Sequence, residues 1–76
     1  MNKTRRDLLR SAKPLLSQAA SIIERAADQE SDCLDNMPEN LQDSDRCEKM
    51  EKAVENLEAA IEHIENAQDC IDEAIS

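Results

Sequence analysis

The sequence contains no glycine, phenylalanine, tyrosine or tryptophan, and only two prolines. Without glycine it cannot build the tight turns of hairpins, a phosphate-cradling loop or a dinucleotide fingerprint. Without aromatic rings it has no platform for stacking bases and no interfacial belt for a membrane. No run of about 18 apolar residues is present, so no bilayer-spanning helix is expected. The opening stretch, residues 1–10, is basic, but no continuous apolar segment follows before Pro14, and no secretory signal is predicted. The expected location is therefore the cytoplasm. Thiols stay reduced there, and an odd count of three cysteines makes a poor disulfide framework.

Positive charge is also scarce. Nine Lys and Arg face eighteen Asp and Glu, a formal net charge of -9 over 76 residues. Direct binding to nucleic acid is excluded by repulsion. The chain is long enough for one domain, 1–76, with a thin core that needs idealised packing or a second copy. The charge is uneven. Residues 1–35 balance to zero, and the whole excess lies in residues 36–76.

What is present is helical periodicity. In the first segment Leu8, Leu15 and Ile22 repeat every seven residues. Leu9, Leu16 and Ile23 form a second row, and Ala12, Ala19, Ala26 and Cys33 a third. Together these rows predict one broad apolar face on a helix over about 3–35, with a kink or fraying at Pro14. The connector, about 36–44, lacks the repeat. Pro38 is suited to open a short turn there, and Ser44 to cap the next helix, with Asp45 and Glu48 favourable in its first turn. In the second segment Met50, Val54, Leu57, Ile61, Ile64, Gln68, Ile71 and Ile75 follow alternating spacings of four and three. That is a heptad seam, and it predicts a helix over about 45–75, flanked by the row Ala53, Ala60, Ala67 and Ala74.

Two long helices and a short connector predict an all-α fold, a coiled-coil-like antiparallel helical hairpin. A turn centred near residue 40 would set Ala26 against Val54, Ala19 against Ile61, Leu16 against Ile64 and Leu9 against Ile71. It would also set Cys33 against Cys47 and Gln68 against Ala12. The basic start (Lys3, Arg5, Arg6, Arg10) would lie beside the acidic end (Glu65, Asp69, Asp72, Glu73), relieving two unfavourable helix-dipole placements. A hairpin buries one stripe per helix, and the surplus apolar rows predict a homodimer forming a four-helix bundle. The expected core and oligomer residues are Leu9, Leu16, Ile23, Val54, Leu57, Ile61, Ile64 and Ile71.

The polar feature that asks for a reason is a carboxylate ridge. Glu48, Glu51, Glu55, Glu58, Glu62, Glu65, Asp69 and Asp72 follow spacings of three and four, so they lie along one helix face. Like charges so spaced destabilise a helix by about 0.2–0.5 kcal/mol per pair. A solvated face kept acidic for solubility is one explanation. The other is a ridge that docks in a basic groove. Its axial spacing of about 5 Å is on the scale of successive phosphates in a nucleic-acid strand.

No catalytic chemistry is legible. His63 is the only histidine, and Ala60 stands where the Glu-x-x-His motif of di-iron bundles needs a carboxylate. No metal, no cofactor and no catalytic residue is expected, and a two-helix rod offers no concave pocket for an enzyme.

The run Asp35-Asn36-Met37-Pro38-Glu39-Asn40-Leu41-Gln42-Asp43-Ser44-Asp45-Arg46 resembles the linker of small acidic two-helix proteins. Phages, prophages and mobile elements of low-GC Gram-positive bacteria encode these proteins. The resemblance covers residues 35–46; Pro14 and Cys47 depart from the pattern. It implies context only, since small phage proteins are often accessory factors that bind host proteins. The expectation is a non-enzymatic phage or prophage accessory protein that inhibits a host protein with a basic groove. A nucleic-acid-handling defence nuclease would be such a target, making the protein anti-CRISPR-like and a nucleic-acid mimic. The alternative is a structural or assembly coiled-coil module that binds partner helices through its apolar faces.

Overall fold

The computed structural model describes residues 1–41 and 44–76. Helix α1 spans Lys3–Asp35 and helix α2 spans Asp45–Ile75, with a 3₁₀ turn at Glu39–Leu41 between them. Gln42 and Asp43, within the connector and the linker-like run, lie outside the described residues. The two helices pack along their length into a hairpin whose Cα envelope is 59 × 15 × 13 Å. Its radius of gyration is 17.4 Å, against about 11 Å for a compact chain of this length.

Local chemistry sets the helix ends. Asn2 caps α1, its side chain accepting from the Arg5 backbone N–H at 2.9 Å. Ser44 caps α2 through the Cys47 N–H at 3.3 Å. The same Ser44 hydroxyl donates to the Leu41 carbonyl at 2.6 Å, tying the 3₁₀ turn to the start of α2. Pro38 supplies the carbonyl that closes that turn, accepting from Leu41 N–H at 2.9 Å. No described residue takes a positive φ, the region that favours glycine.

Pro14 neither breaks nor frays α1, which runs uninterrupted from Lys3. The proline ring is on the exposed side. There, water can satisfy the Arg10 carbonyl that loses its intrahelical donor.

The register between the helices differs from the symmetric one expected from the turn. The Gln68 side-chain amide donates to the Ser17 hydroxyl at 2.8 Å, and Lys13 is ion-paired with Asp72. In both pairs the residue numbers add to 85, not 80. This register sets Leu16 beside Gln68 and Ile23 beside Ile61, one helical turn from the expected Ile64 and Ala19 partners; Leu9 likewise moves from Ile71 to Ile75, and Gln68 leaves Ala12. The reason is in the spacing. Read upward, α1 has seam steps of 4, 3, 4, 3 from Leu9 through Lys13, Leu16, Ala20 and Ile23. Read downward from Ile75, α2 has the same steps through Ile71, Gln68, Ile64 and Ile61. This offset brings every layer into step, as would one a full heptad away; the symmetric one meets a step of four with a step of three.

The register also corrects the cysteine pairing. Cys47 is 3% exposed, whereas Cys33 lies open on the surface. None of the three cysteines is in a disulfide. The Cys47 thiol instead points at Glu51 Oε1, 3.7 Å away.

The core is thin. Ala27 and Cys47 are the only buried apolar residues among those described, and no large side chain is fully buried. The expected core residues Leu9, Leu16, Ile23, Val54, Leu57, Ile61, Ile64 and Ile71 are all half-buried in the seam.

Candidate protein-binding surfaces

Heptad geometry divides the rod into two long flanks. The seam residues occupy positions a and d. In an antiparallel pair, the e positions of both helices share one flank and the g positions share the other. On α2 the e positions are Glu51, Glu58, Glu65 and Asp72, with Glu48, Glu55, Glu62 and Asp69 just outside them. The whole predicted ridge therefore runs down one flank, and all eight carboxylates are exposed. Helix α1 reinforces it. Glu24 and Asp28 line a shallow cleft with Glu58 and Glu65, floored by Ala27 and Ile61.

Ion pairing on this flank is confined to the open end of the hairpin. Asp72 is paired with Lys13, and it is the only ridge carboxylate in a salt bridge among the described residues. The other two ion pairs, Lys3 with Asp7 and Arg10 with Asp7, lie within α1. The basic start of α1 thus compensates the ridge at Asp72 only, and Glu48 to Glu65 carry their charge into solvent.

The opposite flank is uncharged along its middle, with Arg5, Arg46 and Lys49 at its ends. Positions 8–33 of this flank on α1 hold Leu8, Ala12, Leu15, Ala19, Ile22, Ala26, Gln29 and Cys33. Positions 53–74 on α2 hold Ala53, Asn56, Ala60, His63, Ala67, Cys70 and Ala74. Charged residues make up 36% of the chain, yet none falls at these positions. Leu8, Leu15 and Ile22 are 65, 63 and 57% exposed. The three apolar rows of α1 therefore do not form one buried face. The Leu9 row enters the hairpin seam, the alanine row lies at its edge, and the Leu8 row faces outward.

No group of three or more His, Cys, Asp or Glu among the described residues is placed to hold a metal ion. His63 and Cys70 are both exposed on the uncharged flank. No described helix is long and apolar enough to cross a membrane. No protein-family model, curated protein or solved structure matches this chain.

Proposed function

We propose that this chain is a non-enzymatic binding protein whose acidic flank occupies the basic groove of a partner protein. The observation that carries the reading is the uncompensated stretch Glu48–Glu65, exposed along a stiff helix and reinforced across the seam by Glu24 and Asp28. A row of fixed charges on a rigid support loses little entropy on docking and steers a cationic surface over long range. Grooves of that charge and shape are the ones that hold nucleic acid, so the ridge competes with the partner's own ligand. With the linker resemblance, this points to a phage or prophage accessory protein acting on a host enzyme of nucleic-acid handling. A defence nuclease is the most concrete class.

The test is the quadruple substitution Glu51→Gln, Glu55→Gln, Glu58→Gln and Glu62→Gln. Affinity capture from bacterial lysate at low and high salt should recover a nucleic-acid enzyme with the parent protein at low salt only. Double-stranded DNA should displace the captured enzyme, and the quadruple variant should capture none of it. Undiminished capture by a folded variant would sink the reading.

A further inference from the structure

We propose that the uncharged flank is a homodimer interface in which α1 of one copy lies antiparallel on α1 of the second, centred near residue 17. Its occupant is a second copy of this chain, and three observations support that choice.

The first is area. The hairpin exposes 5818 Å². A compact monomer of 8.5 kDa exposes about 4,700 Å². The excess, roughly 1,100 Å², exceeds the ~800 Å² per partner that a stable interface of ordinary size buries.

The second is the fit of the row to itself. Leu8, Ala12, Leu15, Ala19, Ile22 and Ala26 alternate large and small at steps of four and three. Reversed about residue 17, Leu8 meets Ala26 of the second copy, Ala12 meets Ile22 and Leu15 meets Ala19. Every layer then joins one large side chain to one alanine, the complementarity that lets helices approach closely. On the α2 side the matching positions hold Asn56, His63 and Cys70, which offer no such partner for the leucines.

The third is charge. The first half of α1 carries Lys3, Arg5, Arg6, Arg10 and Lys13 against Asp7, and the second half Glu24, Asp28, Glu30, Asp32 and Asp35 against Arg25. No acid stands in its first turn and no base in its last. Antiparallel pairing lays each net-basic half along the partner's net-acidic half. It also turns the two acidic flanks outward, a bundle's width apart and beyond the ~8 Å screening length at physiological salt. A chain of net charge -9 can self-associate through this flank without bringing its ridges together.

The experiment is sedimentation equilibrium under reducing conditions, on the parent, on Leu15→Ala with Ile22→Ala, and on the quadruple ridge variant. The parent should be a dimer. The flank variant, which keeps good helix formers at exposed positions, should dissociate at least tenfold more readily. The ridge variant should remain dimeric, which separates this inference from the proposed function. Independently of any variant that fails to fold, the parent's melting temperature should rise with protein concentration. Orientation is read from a spin label on Cys33 in Cys70→Ser, since Cys47 is shielded. Thirty-two residues of helix separate the two labels in the antiparallel dimer, about 48 Å. A monomeric parent, a dimer unmoved by the flank variant, or labels close together would overturn the proposal.

Discussion

Ser44 joins the 3₁₀ turn to α2 through one hydroxyl. It accepts from Cys47 N–H and donates to the Leu41 carbonyl, so it both starts α2 and holds the 3₁₀ turn against it. Ser44→Ala should therefore cost about 1 kcal/mol, read as a lower urea midpoint with unchanged slope. Ser44→Asp, which keeps the capping acceptor, should recover most of that loss. The cysteines give a second test at this scale. Cys33 and Cys70 are exposed and Cys47 is not. A thiol reagent should label the first two rapidly in the native protein and Cys47 only on unfolding. Rapid labelling of all three would contradict the burial of Cys47.

For the helices, the informative features are those that cost stability. Pro14 sits inside α1, where proline is about 3 kcal/mol worse than alanine. Alanine regains a donor for the Arg10 carbonyl but frees the unfolded chain, which offsets about 1 kcal/mol. Pro14→Ala should thus stabilise by about 2 kcal/mol and raise the melting temperature by roughly 10 °C. The ridge is the corresponding feature of α2. Replacing Glu51, Glu55, Glu58 and Glu62 by glutamine removes five like-charge neighbours, counting Glu48 and Glu65 at the ends. At about 0.2–0.5 kcal/mol each, stability should rise by about 1–2 kcal/mol. A thermal melt that moves upward while capture is lost would show that the carboxylates are kept for binding at the expense of the fold. A melt that moves downward would assign them a structural part.

For the whole molecule, the rod has two long flanks of opposite character. One is acidic and exposed; the other is neutral and displays leucine and isoleucine. This separation predicts that the two surfaces can be damaged independently. The flank variant should capture the same partner per chain as the parent, with weaker apparent avidity on a surface that rewards two contacts. The ridge variant should dimerise and capture nothing. Surface immobilisation of the partner at low and high density distinguishes these outcomes. Loss of capture by the flank variant at both densities would mean that the two flanks form one site.

The sequence by itself determined the helices, the Ser44 cap and the hairpin. Those follow from local chemistry: heptad spacing, Ser44 before acidic residues, Pro38 at a turn, and no glycine or aromatic to suggest another class. It also placed the eight carboxylates on one face, because side chains three and four apart on a helix must be neighbours. The phase of the register was within reach too, since the alternating steps of the two seams mesh only at offsets a heptad apart; the structure chose among those offsets. Symmetry about the connector was the wrong guide, because knob layers and not loop length set how helices interlock. Which of the three apolar rows of α1 enters the seam was left to tertiary structure. A single helix with apolar residues over much of its surface has no preferred side until its partner takes one. Once α2 covers the Leu9 row, the Leu8 row is left on the flank away from the acids. That allocation, a property of the pair and not of either helix, gives the rod its acidic flank and its neutral one.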